Sequence, residues 1–147
     1  MEKNIAPRFN YFDTMARAQK GYARMLEPIC KKWDLTRNEL DVILFLYNNP
    51  DFDRASDVAV RRGMAKSHVS LSVTTLEGKG LLRRRPDPED RRTIHLELVG
   101  DAPDIARQGR EAQTAFFERI YAGLTEEEIS IWSRAAEKVS RNIANLD

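Results

Sequence analysis

Hydrophobic residues recur at helical spacing along most of the chain and alternate with polar residues in only one short stretch. From Phe9 to Trp33 the apolar positions are mostly three or four residues apart, which predicts a long amphipathic helix. This face consists of Phe12, Met15, Tyr22, Leu26, Ile29 and Trp33. A second helix is predicted from Thr36, which can form a capping box with Glu39, to about Asn48.

The middle of the chain predicts two shorter helices. Ser56 or Asp57 is expected to cap the third helix, and Gly63 to end it, because glycine tolerates a left-handed backbone. A fourth helix is predicted from Lys66 to Gly78. Its inward face would hold Val69, Val73 and Leu76, and its free face Ser67, Ser70, Leu71 and Thr74.

A β-hairpin is predicted after the fourth helix. Residues 81–85 and 93–99 have strand-like composition, and in the second segment Ile94, Leu96 and Leu98 alternate with polar residues. The stretch between them is rich in proline and aspartate and predicts a turn. The hairpin should therefore have one apolar and one polar face.

Two further helices are predicted at the C-terminal end. Pro103 suits the first turn of a fifth helix, and Thr125 with Glu128 forms a second capping box at the start of the last one. The apolar positions of the last helix are Ile129, Trp132, Ala136, Val139, Ile143 and Leu146. Such a continuous seam favours packing against another helix.

Composition limits the class of protein. With 147 residues and 41% hydrophobic content, the chain can bury one core, so a single domain over residues 1–147 is expected. The sequence has no long apolar run and no signal-peptide pattern at its start, so we expect a cytoplasmic protein without a membrane partner. A single cysteine, Cys30, fits a reducing compartment and cannot by itself build a disulfide or a structural zinc site.

Positive charge is concentrated in one region. The net charge is only +1, but residues 61–92 contain nine Lys and Arg against four Asp and Glu. This region coincides with the fourth helix and the hairpin. A local basic field of this kind favours a polyanionic partner.

Three short helices followed by a hairpin are typical of a winged helix-turn-helix, in which the last helix enters the DNA major groove. Ser67, His68, Ser70 and Thr74 are short polar residues that could approach base edges or phosphates. Lys66 would add charge, and Leu71 could contact a thymine methyl group. Each polar residue alone is better explained as ordinary helix surface, but the helix, the charge excess and the arginine-bearing hairpin together favour DNA binding.

The segment KSHVSLSVTTLEGKGLLRRRPDPEDRRTIHLEL resembles the recognition helix and wing of the MarR family of bacterial transcription regulators. The resemblance implies a mainly α fold with a small β-wing. Residues 34–100 would form the winged helix-turn-helix, flanked by dimerisation helices in 5–33 and 101–147. The resemblance also implies that Arg92 enters the minor groove at the wing tip and that Asp90 orients basic groups there. Arg84 and Arg91 are interpreted as phosphate contacts or as merely solvated.

The resemblance further implies a homodimer that binds a palindromic operator in double-stranded DNA, acting as a repressor. The dimer interface would include Phe9, Phe12, Met15, Trp132, Val139, Ile143 and Leu146. The alternative is that these residues fill the core of a monomer. A small aromatic or anionic effector is implied by the resemblance alone, and no residues are assigned to its pocket.

Other functions stay open at this point. Cys30 could sense peroxide, since Lys31 and Lys32 favour its thiolate, although its apolar neighbours suggest a buried thiol. The protein could also bind DNA without sequence preference. Catalysis is disfavoured, because the sequence offers no nucleophile beside a histidine, no metal-ligand spacing and no phosphate-binding glycine loop. We therefore expect no catalytic residue, no cofactor and no metal site.

Overall fold

The computed structural model describes residues 10–146, which form six helices and one two-stranded antiparallel sheet. The elements are α1 (Tyr11–Trp33), α2 (Arg37–Asn48), α3 (Ala55–Arg62), α4 (Lys66–Gly78), β1 (Leu82–Pro86), β2 (Ile94–Leu98), α5 (Ala102–Ile120) and α6 (Glu126–Ala144). This confirms the mainly α fold with a small β-wing. The chain divides into two compact units, the first ending at Gln113 and the second beginning at Thr114.

The core of the first unit lies between the three short helices and the hairpin. Its fully buried side chains from α2, α3 and α4 are Leu40, Val42, Ile43, Val58, Val69, Val73 and Leu76. Leu82 of β1 and Leu96 of β2 close the core from the hairpin side. The predicted inward face of the fourth helix is thus confirmed, and its burial determines which face of α4 remains free.

The start of α2 is fixed by the predicted capping box. The Thr36 hydroxyl accepts a hydrogen bond from the Glu39 backbone N–H at 3.2 Å, and the Glu39 carboxylate accepts one from the Thr36 N–H at 2.9 Å. Lys79, just after α4, donates to the same carboxylate at 3.1 Å and to the backbone carbonyl of Asp34. These bonds join the end of α4 to the start of α2.

The start of α3 differs from the prediction. Its N-cap is Arg54, whereas Ser56 and Asp57 lie inside the helix. The Asp57 carboxylate accepts a hydrogen bond from the Arg54 backbone N–H at 3.2 Å, so this aspartate caps the helix from its third position. Gly63 ends α3 in the left-handed region, with φ of 61°, as predicted.

The hairpin is confirmed, with strand boundaries shifted by one residue. Leu81 lies outside β1 because its backbone N–H donates to the Leu76 carbonyl at 3.0 Å and so belongs to the end of α4. In the register of the sheet, Arg84 pairs with Leu96 and Arg85 with His95. Since paired residues share a face of the sheet, Arg84 lies on the core side and His95 on the opposite side.

The first part of α5 completes the core of the first unit through Ala102, Ile105 and Ala106. Gly109 allows this close approach, because a Cβ atom there would lie 2.5 Å from Leu44 Cδ2. In the second unit, α6 begins at the predicted capping box of Thr125 and Glu128, and every one of its described residues is at least partly exposed. None of the helices in residues 10–146 is long and apolar enough to cross a membrane.

Candidate DNA-binding surface

Helices α3 and α4 form the helix-turn-helix. Only residues 63–65 separate them, and the Met64 backbone N–H closes the turn by donating to the Ala59 carbonyl at 3.0 Å. Val58 and Ala59 of α3 are buried, as are Val69 and Val73 of α4, so the relative position of the two helices is set by the core. A short turn between two helices held in this way is the arrangement that presents a recognition helix.

The free face of α4 contains all six residues predicted to meet DNA on this helix. Lys66, Ser67, His68, Ser70, Leu71 and Thr74 are all exposed. Leu71 is 68% exposed, although the other apolar side chains of α4 are buried. Apart from Lys66, His68 and Leu71 the side chains are short, so another molecule could approach the helix closely along its length.

Arg84 links β1 to α4. Its guanidinium donates to the Glu77 carboxylate at 3.1 Å and to the Thr74 hydroxyl at 3.3 Å. Arg84 and Thr74 were both predicted to contact DNA, and the structure brings them together. Because two of its donor groups are already used, Arg84 fastens the wing to the helix as well as adding charge.

A recess of about 400 Å³ lies between α4, α3 and the hairpin. Lys66, Ser70 and Arg84 supply polar side chains to its lining, while Val69 and Val73 supply apolar ones. Two cationic side chains flanking a recess favour an anionic chain such as a sugar–phosphate backbone.

The turn of the wing is held by two aspartates. Asp87 accepts hydrogen bonds from the backbone N–H groups of Glu89 and Asp90 at 2.9 and 3.0 Å. Asp90 accepts from the backbone N–H of Arg92 and from the hydroxyl of Thr93, both at 3.0 Å. Asp90 therefore contacts Arg92 through its backbone N–H; that it orients the basic groups of the tip stays a prediction from the family resemblance.

Arg91 and Arg92 project from this turn. Both are exposed, and neither guanidinium has a hydrogen bond or an ion pair with any residue in the described part of the chain. By contrast, Arg83 is paired with Glu97 at 2.6 Å, and Arg84 is paired with Glu77. Among the described residues of the wing, Arg91 and Arg92 at the tip and Arg85 of β1 are therefore the cations that remain free to bind an anion.

His95 is a residue of the site that sequence analysis did not single out as functional. Its Nδ1 lies 2.8 Å from an Asp53 carboxylate oxygen, and its Nε2 lies 2.8 Å from an Asp87 carboxylate oxygen. Asp87 is eight residues away and could have been noticed as a neighbour across the turn. Asp53 precedes α3, and only the folded chain brings it to the hairpin.

These contacts shift the pKa values of both partners. The pKa of Asp87 is lowered to about 2, mainly by the His95 hydrogen bond and then by the N–H groups of Glu89 and Asp90. The pKa of His95 is raised, mainly by Asp87 and then by Asp53, while desolvation and Arg85 act against the rise. Both shifts favour an ionised carboxylate beside a protonated imidazole.

The residues predicted for dimerisation lie on uncovered surfaces of each unit taken separately. In the first unit Phe12 is 84% exposed and Met15 is half-buried. In the second unit Trp132, Val139, Ile143 and Leu146 are all exposed. Phe9 lies outside the described residues.

Cys30 lies late in α1 and is half-buried. Burial raises the pKa of its thiol, and this effect outweighs the opposite one of Arg37. A raised pKa reduces the thiolate fraction, and thiolate is the form that reacts with oxidants. The surroundings of Cys30 therefore match an unreactive thiol better than a redox sensor.

Taken together, a helix-turn-helix with an exposed polar recognition face and a hairpin with free arginines at its tip define a winged helix-turn-helix DNA-binding protein. Residues 33–93 match the model of the MarR family. The chain is therefore similar to transcriptional regulators of the MarR family and has their winged-helix fold.

Known proteins similar to this chain include regulators and repressors. The HTH-type transcriptional repressor IacR of Pseudomonas putida is 25% identical over 135 residues, covering 92% of this chain and 80% of that protein. The crystal structure of a MarR-family regulator from Silicibacter pomeroyi matches with a TM-score of 0.74 at 19% identity, over 88% of this chain and 87% of that one. An S. aureus MepR–DNA complex matches with a TM-score of 0.75 at 18% identity, over 92% and 99%. The family and these relatives are regulators, not enzymes.

Proposed function

We propose that the protein is a sequence-specific repressor that binds a palindromic operator as a homodimer and releases it in response to a small effector. The observation that carries this proposal is the pairing of the exposed face of α4 with the free arginines of the wing. The two features supply the two kinds of contact that specific binding needs, base readout and phosphate or minor-groove anchoring.

In this proposal the α4 face reads the major groove. Ser67, His68 and Ser70 would hydrogen-bond to base edges, and Leu71 would contact a thymine methyl group. Thr74 would approach the DNA beside Arg84, and Lys66 would bind a phosphate. The exposure of all these side chains supports the assignment.

The wing would hold the flanking DNA. Arg92 would enter the minor groove, where the negative potential of a narrow A·T-rich segment attracts a guanidinium. Arg91 and Arg84 would bind phosphates, and Asp90 would keep the turn in shape through the backbone of Arg92. The free guanidinium groups at the tip support this division of roles.

Dimerisation is supported by the exposed apolar residues of α1 and α6. The side chains of Phe12, Trp132 and Ile143 are 84%, 47% and 52% exposed. Exposed apolar surface of this kind favours a protein partner. A twofold dimer would present two α4 helices roughly 34–36 Å apart, one turn of DNA. The site bound by such a dimer is palindromic.

Repression and effector binding rest on similarity. A relative from P. putida is named as a repressor, and the family resemblance implies a small aromatic or anionic effector. An effector can act only if it binds the DNA-competent and DNA-incompetent states with different affinities. Addition of small aromatic acids to the protein–operator complex would test for release of DNA.

Selection of bound sequences from a random duplex pool tests the proposal. The expected result is a twofold-symmetric consensus whose half-sites lie about one helical turn apart. Competition with random DNA then measures specificity, and the preference for the consensus should be at least about 10³-fold. Equal binding to all duplexes would contradict sequence-specific regulation and favour non-specific binding.

A further inference from the structure

His95 joins the wing to the body of the first unit. It belongs to β2 and has a side chain only 17% exposed, held between Asp53 before α3 and Asp87 at the base of the wing turn. The Leu96 backbone N–H adds a second link to the same loop by donating to the Asp53 carbonyl at 2.7 Å. The histidine is thus a bridge between two segments that are far apart in sequence.

The geometry fits the protonated form of the ring. Each ring nitrogen lies 2.8 Å from a carboxylate oxygen, and an ionised carboxylate can only accept hydrogen bonds. A neutral imidazole has one N–H, so one of its nitrogens would face a carboxylate oxygen with a lone pair. Only the imidazolium can donate to both aspartates at once.

Hydrogen bonds connect the His95 bridge to Arg92 at the wing tip. Asp87 uses one oxygen for His95 and the other for the backbone N–H groups of Glu89 and Asp90. The Asp90 carboxylate in turn holds the backbone of Arg92. A chain of hydrogen bonds therefore runs from the His95 ring to the residue proposed to enter the minor groove.

We propose that His95 is a positioning residue for DNA binding, whose protonated ring holds the wing turn, and with it Arg92, in the DNA-binding position. Loss of the ring proton weakens operator binding. This inference rests on the proposed function of the wing, since it assigns a pH response to that same surface.

The charged groups around the His95 ring determine whether DNA binding strengthens or weakens as the pH rises. Asp53 and Asp87 face it and favour the proton, and Arg85, its partner across the hairpin, opposes it. Because the pKa of His95 is raised, the bridge is complete below the ordinary histidine value and is lost as the pH rises through the raised pKa. Asp87, with a pKa of about 2, stays ionised throughout that change.

Fluorescence anisotropy of a labelled duplex that carries the consensus from sequence selection, measured from about pH 6 to about pH 9, tests the inference. Wild-type binding should weaken several-fold as the pH rises. His95→Gln cannot acquire the proton and should bind weakly with no corresponding transition. Asp87→Asn removes one of the two carboxylates that favour the proton, so the transition should move to lower pH. His68→Gln, at the other histidine, should keep the transition whatever its affinity.

A double variant separates positioning from a general loss of stability. If His95 acts through the wing arginine, His95→Gln should have little further effect on binding in an Arg92→Ala background, whereas independent effects would add. NMR of the wild-type His95 ring should show both nitrogens protonated at the pH of tight binding, a readout that needs no variant.

Four results would overturn the inference. They are an unchanged pH profile in His95→Gln, loss of the profile in His68→Gln, additive effects of His95→Gln and Arg92→Ala, and a neutral His95 ring at the pH of tight binding. Failure of the wild type to bind any duplex would instead contradict the proposed function. The two failures are therefore distinguishable.

Discussion

Arg92→Ala, which removes one of the two arginines at the wing tip, is the substitution whose effect on DNA binding can be worked out most directly. The Arg92 side chain is exposed and has no partner among the described residues, and its backbone bond to Asp90 does not depend on the side chain, so Arg92→Ala should leave the folded protein intact. A dimer carries two copies, and each lost contact should reduce the slope of log K against log salt concentration by about 0.9. The slope should therefore become shallower by about 1.8 in the variant.

The loss of affinity for DNA follows from the same number of lost contacts, two per dimer. If each contact contributes about 1 kcal/mol, the dimer loses about 2 kcal/mol, or roughly 30-fold in Kd. Operator titrations at several salt concentrations, with the midpoint of thermal unfolding as a check on folding, measure both quantities. Arg107→Ala is the matched control, because Arg107 is an exposed arginine of α5 paired with Asp104 and lies outside the proposed surface. An unchanged salt slope in Arg92→Ala would refute the assignment of the wing tip to DNA.

Three further predictions concern α4, α5 and α1. Leu71→Ser should leave the thermal midpoint unchanged, because the side chain is 68% exposed, and should weaken discrimination at one base pair by about 1 kcal/mol. Repeated sequence selection measures this change, and loss of stability without loss of preference would contradict it. Gly109→Ala should destabilise the protein by about 1–3 kcal/mol in urea unfolding, since its Cβ would meet Leu44 at 2.5 Å, and an unchanged midpoint would show that the helix can shift. Cys30→Ser and wild type should bind operator equally before and after peroxide treatment, because burial raises the pKa of the thiol. Release of DNA by peroxide in wild type alone would restore the redox hypothesis.

Local patterns predicted the helices and the free face of α4 because both depend on neighbouring residues. The spacing of Val69, Val73 and Leu76 defines one side of a helix wherever that helix packs. The capping boxes at Thr36 and Thr125 are likewise complete within four residues. Residues on the opposite side of such a helix are exposed, and for this reason the sequence could predict all six proposed DNA contacts of α4.

Contacts between distant segments could not be predicted from spacing. The Asp53–His95 bond joins residues 42 positions apart, and the Lys79–Glu39 bond joins residues 40 positions apart. Their existence depends on how the hairpin and α4 pack on the body of the first unit. The start of β1 differs from the prediction for a related reason. The backbone N–H of Leu81 donates to the Leu76 carbonyl at the end of α4 and is therefore not available to the sheet.

The central claim is that the exposed face of α4 and the tip of the wing form the surface that meets DNA. The most direct measurement is an NMR titration of isotope-labelled protein with operator duplex, following each backbone amide. The account predicts that the largest shifts fall on residues 66–74 of α4 and 89–92 of the wing turn. Shifts that leave both segments unchanged while the duplex binds elsewhere on the protein would contradict it.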